Sequence, residues 1–382
     1  MTEEKNGKAY TIRQESRGCQ STMAITIPQR KDVIKDIKDR GGLVAAVLPI
    51  HYSRALLRAF DIFPIELWGP PKVDVSLGGA HLQPYVCSIV HNALSFLKMG
   101  ELNVASLILI PHTCDSLQGL TSVLMDMVKP EQRIFPLYLP RGQREEDVVF
   151  LVDELQALYT RFSAFTGKQP TNEELLAAIK REELSDLLLA KLYQNRQTMG
   201  LSNIDFYRLA RSREYLLAEH FATLAENALQ VTGKPVPGIP VIISGILPEP
   251  MEILAVIGKM KGQVVADDLA CCGRRLYQPG TSQEPFRRMA ERIIYAPPDP
   301  TRGNSIAERA EYLIEMARNS GAKGIIFYDV KFCEPELFDL PNLRTCLKEQ
   351  GLASINIEVD INNLLPHQMA TRIGAFLEML AS

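Results

Sequence analysis

"SLILIPHTCDSLQGL" (residues 106–120) and "GIIFYDVKFCEPELF" (residues 324–338) run to one plan: apolar strand, short polar turn, cysteine, acidic residue, helix. Strands that are apolar throughout, rather than at every second residue, suit parallel sheets with helices on both faces. Their surroundings alternate accordingly. Before the first stretch come a strand in "GGLVAAVLPI", a helix in "SRALLRAFD", a strand in "FPIELWG" and a helix in "CSIVHNALSFLKMG"; after it come the amphipathic "SLQGLTSVLMDMV" and the strand "RIFPLYLP". Around the second lie "PVIISGI", "PMEILAVIGKM", "GQVVADD", "SIAERAEYLIEMARNSG", "PNLRTCLKEQ", "ASINIEV" and "HQMATRIGAFLEML", again strand and helix in turn. The pattern predicts an α/β protein with two similar doubly wound units facing each other.

Between the units, "EEDVVFLVDELQALYTRF", "NEELLAAIKREELSDLLLAKLYQNR" and "IDFYRLARSREYLLAEHFATLAENALQ" are long, charged and helix-periodic. Thr171, three places before Glu174, predicts a capping box at the start of the second. "TGKPVPG" then reads as a linker. The predicted divisions are a polar N-terminal tail (1–30), a first α/β domain (31–143), a helical segment that covers and connects the sheets (144–235) and a second α/β domain (236–382).

At 382 residues with 46% hydrophobic content, the chain has room for several cores. With 42 basic against 45 acidic residues and a net charge of -3, it carries no electrostatic footprint for nucleic acid. Its apolar runs are too short to span a bilayer, and "MTEEKNGKAYTIRQESRGCQSTM" has no apolar middle, so a cytoplasmic protein is expected. There is neither a G-x-G-x-x-G after a strand nor a G-x-x-x-x-G-K-[ST], which argues against dinucleotide binding and against ATP hydrolysis by this chain. Seven cysteines without a secretory signal point to thiols or metal ligands, and no C-x-x-C spacing joins any two.

In open parallel sheets, ligands gather beyond the carboxyl ends of the strands. Cys114 and Cys333 occupy that position, and Cys87 lies at the first turn of its predicted helix, where the helix dipole favours a thiolate. The three can converge in the cleft between the sheets. His51 and Glu66 lie near strand ends of the first domain and are acid-base candidates or ordinary strand-end residues; His112, beside Cys114, is in the same position. Asp115 and Glu334 suit helix capping. Asp267 and Asp268 suit a turn, while Arg274 and Arg275 are either a solvated pair or a site for a CoA phosphate.

"YVCSIV", "PHTCDSLQGL", "VVADDLACCGRR" and "VKFCEPELFDLP", followed by "INIEVD", resemble the motifs of the 2-hydroxyacyl-CoA dehydratase and benzoyl-CoA reductase family. "VLPIHYSRALLRAFDIFPIELWG" is similar to that family's opening pattern, and the likeness runs from about residue 40 to the end. The resemblance implies two flavodoxin-like domains with a helical segment between them. It implies one [4Fe-4S] cluster held by Cys87, Cys114 and Cys333, with the fourth iron open to water, hydroxide, sulfide or substrate. It further implies a homologous sister subunit, an ATP-dependent iron-sulfur activator that supplies a low-potential electron, and an acyl-CoA substrate. The dehydratases of the family expel a hydroxyl group through a ketyl radical of a 2-hydroxyacyl thioester, giving an enoyl-CoA; the reductases attack an aromatic ring. The adjacent Cys271 and Cys272 depart from the expected pattern, and an extra cluster would need a cysteine that "RIIYAPPDPTRG" lacks. Cys346 falls on a helix, and Cys19 lies in the tail.

Other readings use the same residues differently. The chain can be a non-catalytic sister subunit that carries a cluster, a benzoyl-CoA reductase-type subunit, a two-lobed transferase without iron, or a zinc protein using the three thiolates and His112.

Overall fold

The computed structural model describes residues 9–15, 22–70, 73–363 and 365–382. Its first elements fall where the sequence predicts a tail: strands β1 (Ala9–Glu15) and β2 (Thr22–Pro28) pair as an antiparallel hairpin. In β2, Ile25 and Ile27 are buried while Ala24 and Thr26 are exposed, the two-residue period of a half-covered strand. Those isoleucines and Ile12 pack on Leu192, Phe206 and Phe221 of the helical layer, so this segment is part of the fold. Helix α1 (Arg30–Asp39), also unanticipated, lays Ile37 against Val44 and Ile65.

The first lobe continues with β3 (Leu43–Val47), α2 (Arg54–Ala59), β4 (Ile62–Glu66), a short α3 (Ser76–Gly79), α4 (Ser88–Lys98), β5 (Leu107–His112), α5 (Asp115–Ser122) and β6 (Arg133–Tyr138). Helix α5 runs on as a wider π turn over Val123–Val128. The helical layer consists of α6 (Glu145–Thr166), α7 (Asn172–Asn195), α8 (Asn203–Arg211) and α9 (Ala218–Leu229). The predicted capping box opens α7: Glu174 N–H donates to Thr171 Oγ1 at 3.3 Å, and Thr171 N–H donates to the Glu174 carboxylate at 2.7 Å.

The second lobe comprises β7 (Ile239–Gly245), α10 (Glu252–Lys259), β8 (Gly262–Leu269), α11 (Pro285–Ile294), α12 (Ile306–Ser320), β9 (Gly324–Val330), α13 (Glu334–Glu349), β10 (Ala353–Val359) and α14 (His367–Ala381). Helix α13 starts directly after Cys333 and contains Pro341, a residue that the sequence pattern places at a helix start. Pro335 in its first turn is suited to that place, because an N–H there has no intrahelical partner.

Both sheets are fully parallel and share one order, β4-β3-β5-β6 and β8-β7-β9-β10, with the first strand between the second and third. That is the flavodoxin-like order, realised twice. All seven residues of β9 are buried, as a strand covered on both faces requires. The lobes are not independent along the chain: Met289, Ala290 and Ile293 of α11 belong to the same apolar core as Val47, Leu56 and Leu109 of the first lobe. No helix among the described residues is long and apolar enough to cross a membrane.

Phe162 of α6 anchors that core, fully buried with its ring centroid 5.7 Å from Phe60 and 5.1 Å from Phe135. Phe162→Ala is expected to cost about 3–5 kcal/mol in chemical denaturation through lost burial and the cavity left behind; a loss below about 1 kcal/mol would show that the helical layer does not stabilise the first lobe.

Candidate functional site

Three helices open on a cysteine. Cys87, Cys114 and Cys333 are the N-cap residues of α4, α5 and α13. Cys114 and Cys333 follow the third strand of their respective sheets, β5 and β9, so the repeated strand order puts them at equivalent ends. Cys87 returns to the same edge after the excursion from β4 through α3. At the turn into α13, Phe332 adopts a left-handed backbone (φ 64°), an unusual state for an aromatic residue, which swings the chain from strand to helix. Cys333 N–H then donates to the Val330 carbonyl at 3.0 Å.

Cys87 and Cys333 are buried, Cys114 is half-buried, and all three contribute to one apolar cluster that spans both lobes. Burial pushes the Cys87 thiol up to about 12, and the neighbouring Cys114 pushes it the same way. Cys333 is driven well above the usual thiol range by burial, then by Cys87 and Cys114. Burial also raises Cys114. Backbone N–H groups oppose the rise: Ile89 and Val90 at Cys87, Ser116 and Leu117 at Cys114, Glu336 at Cys333. These thiols, of which Cys87 senses Cys114 and Cys333 senses both, are neutral by themselves and become thiolates once a cation offsets their repulsion.

Among the described residues, no three His, Cys, Asp or Glu side chains gather tightly enough to hold a single metal ion. This weighs against zinc, whose ligands all stand at bonding distance from one point. A cubane is less demanding of the sulfurs, since each cysteine binds a different iron and the sulfurs stand further apart. The soft sulfur donors, their neighbourhood in both lobes and their helix-end N–H groups fit such a cluster.

His112 serves its own lobe: its Nε2 lies 2.9 Å from Thr121 Oγ1 and its ring meets Tyr138 edge-on at 4.7 Å. Buried His51 sits in a left-handed conformation, with Nε2 3.7 Å from Asp299 Oδ1. Burial lowers it to about 4 against the opposing pull of Asp299, so it is neutral at physiological pH. Glu66 is fully buried and takes donors from Tyr52 Oη (2.8 Å), Trp68 Nε1 (3.1 Å), Arg54 (3.3 Å) and Arg275 (2.5 Å). Burial alone would raise its carboxyl, but Arg275 and Arg54 outweigh that and hold it low.

Arg274 and Arg275 are not a phosphate site. Arg274 has no solvent exposure and is bound by Asp268, Asp299 and Glu336, while Arg275 is buried against Glu66. Asp267 shapes the turn as expected, accepting from Gly273 N–H at 2.7 Å and from Tyr207 Oη at 2.8 Å. Cys271 and Cys272 belong to the same apolar cluster as the three helix-capping cysteines; their sulfurs are 3.3 Å from each other and line a small pocket with Leu189, Ala210 and Arg213 of the helical layer. Half-buried Cys346 packs in the core between α12 and α13; Asp115 and Glu334 are exposed, and Cys19 lies outside the described residues.

Asp329 escaped sequence reading although it is the one charged residue in the apolar "GIIFYDV". It is fully buried, and neither carboxyl oxygen has a hydrogen-bond partner among the described residues. Burial, then Glu336, raises it to about 8, so it is neutral at pH 7.

These features define a two-lobed α/β protein with a thiol site where the lobes' strand ends meet. The sequence profile described as 2-hydroxyglutaryl-CoA dehydratase, D-component, matches residues 49–380, and the chain belongs to that family. It is 26% identical over 371 residues to the (R)-phenyllactyl-CoA dehydratase beta subunit of Clostridium sporogenes, covering 92% of this chain and 95% of that one. It is also 26% identical over 372 residues to the lactoyl-CoA dehydratase beta subunit of Anaerotignum propionicum, with the same coverage. A benzoyl-CoA reductase subunit of Thauera aromatica shares 21% identity over 355 residues, 90% of this chain and 92% of that one.

The unpartnered carboxyl makes a pH prediction. Because the folded value of Asp329 lies above the unfolded value, the folded state holds the extra proton between about pH 4 and 8, and stability falls across that window by up to about 1.4 kcal/mol per pH unit. Asp329→Asn removes this penalty, so denaturation at pH 4, 6 and 8 should show the variant gaining on the parent as pH rises. An unchanging difference would mean that Asp329 is ionised in the folded protein.

Proposed function

We propose that the chain is the iron-sulfur subunit of a 2-hydroxyacyl-CoA dehydratase-type enzyme, with a [4Fe-4S] cluster held by Cys87, Cys114 and Cys333. The observation that carries this reading is that three helix-capping cysteines from both lobes join one apolar cluster, within a family match that covers most of the chain. The cluster would supply one-electron chemistry and a Lewis-acidic iron, left open by having only three protein ligands, for the removal of water from a 2-hydroxyacyl thioester. The electron would come from an ATP-dependent activator, and a homologous sister subunit would complete the enzyme, in keeping with the beta-subunit names of the relatives.

The protein's own share is placement and exclusion of water. The apolar cluster around the thiols keeps bulk solvent from the iron and strengthens local fields. The N-terminal dipoles of α4, α5 and α13 stabilise negative charge arriving there. Neutral His51 and fully engaged Glu66 contribute through position. Glu66 fixes the first lobe's strand end and, through Arg275, the second lobe; His51 contacts Asp299, which also binds Arg274.

The test is anaerobic purification with iron and sulfide quantification. About four irons per chain are expected, lowered by more than half in Cys87→Ser, Cys114→Ser or Cys333→Ser and retained in Cys346→Ser. A colourless, iron-free parent, or iron content indifferent to all three substitutions, would leave only the two-lobed scaffold. If the thioester perturbs the paramagnetic signal of the sister subunit alone, this chain stores and relays the electron instead of turning substrate over.

A further inference from the structure

Besides the ion pair of Glu66 with Arg275, an uncharged pair joins the lobes. Asn92 Nδ2 donates to Asn362 Oδ1 at 2.9 Å, and Asn362 Nδ2 donates back to Asn92 Oδ1 at 2.7 Å. Asn92 lies in the second turn of α4 and has no solvent exposure. It also donates to the Pro70 carbonyl at 2.9 Å, so one side chain holds together α4, the segment after β4 and the turn after β10. Asn362 is fixed in its own lobe: its N–H donates to Asp360 Oδ1 at 3.0 Å, and Ile361 between them is buried in the apolar cluster that contains Cys87 and Cys333.

The pair spans the same junction as the thiols. Strands β9 and β10 run in register, with Val330 opposite Val359. Cys333 stands three residues beyond Val330 and Asn362 three beyond Val359, so both leave neighbouring strands at one edge. In the first lobe, Asn92 follows Cys87 by five residues on a single helix. The second sheet has the order β8-β7-β9-β10, with Arg275 beyond β8, Asn362 beyond β10 and Cys333 beyond a strand between them. One contact leaves two bodies free to swivel about it; a second, on the far side of β9, removes that freedom. An ion pair in this place would require two charges to be desolvated and would act on any charge gained nearby. Reciprocal amides satisfy each other without net charge.

We infer that Asn92 and Asn362 are positioning residues of the thiol site: their pairing holds α4, and with it Cys87, in register with the turn that presents Cys333. The cluster that would feel this spacing rests on the proposed function; the register of α4 does not.

Three variants of the full-length chain test the inference. Asn362→Leu removes both hydrogen bonds at similar size and leaves the buried Asn92 amide short of partners, Asn362→Gln keeps an amide, and Gln132→Leu deletes a buried hydrogen bond to the Leu102 carbonyl within the first lobe alone. In iron-free protein, hydrogen exchange in α4 is expected to quicken about tenfold in Asn362→Leu while β5 stays protected. In protein loaded with iron anaerobically, the same variant should alter the paramagnetic line shape and shift the one-electron reduction equilibrium about tenfold, equivalent to about 59 mV. Asn362→Gln should lie nearer the parent on both readouts, and Gln132→Leu should match the parent. Parent-like exchange in α4 of Asn362→Leu, a parent-like signal and potential in its loaded form, a Gln variant displaced as far as the Leu variant, or an equal shift in Gln132→Leu overturns the inference. Iron-loaded protein whose α4 exchange ignores Asn362→Leu sinks the tie alone, whereas quickened exchange in a chain whose parent takes up no iron sinks the cluster and leaves the tie standing.

Discussion

A carboxylate in a dry interior is tolerable only beside a cation, and Glu66 meets that condition across the two lobes. It closes β4 of the first sheet, while Arg275 follows β8 of the second, and they meet at 2.5 Å with almost no solvent access. Removing Glu66 leaves Arg275 a buried charge without its carboxylate, a change that costs about 3–5 kcal/mol in comparable sites, whereas removing Arg275 leaves Glu66 with Arg54 as its cation. From this contact an ionic chain runs outward: Arg54 reaches Glu182 of α7 at 3.4 Å, Arg213 binds Glu182 and Asp186, and Asp186 binds Arg292 of α11 at 2.5 Å. The carboxyl edges of the sheets are thereby held face to face through the helical layer.

A second buried lattice places the thiol site. Arg274 and Arg309 both bind Glu336, which stands in the first turn of α13, three residues beyond Cys333. The same Arg274 binds Asp268 at the end of β8 and Asp299, so the entrance of α13 is tied to two other segments of its lobe. The cysteine's position is thus set by ion pairs rather than by packing alone. With Cys87 and Cys114 carried by helices of the first lobe, the site forms only when the lobes are docked.

Much of the sheet architecture was legible in the sequence because β5 and β9 are apolar throughout and a parallel sheet has few other ways to be written. The Thr171–Glu174 capping box was equally local. The hairpin was lost because its buried isoleucines, Ile25 and Ile27, are few and lie inside a segment of tail-like composition. Helix α11 was lost because its apolar residues answer to the other lobe's core. The cysteines were legible as helix entrances, but nothing local reveals that Arg274 and Arg275, adjacent and basic like any solvated pair, carry the buried lattices. Asp329 left a local trace, a lone acid within an apolar strand, whose meaning depends on Glu336 and the arginines that face it.

The central claim is that one iron-sulfur cluster sits where the two lobes meet. Anomalous diffraction at the iron edge from anaerobically grown crystals tests it most directly. The account predicts a single strong iron peak bounded by the sulfurs of residues 87, 114 and 333. Iron density beside Cys271 and Cys272, or three reduced thiols with no iron between them in protein that is active, would contradict it.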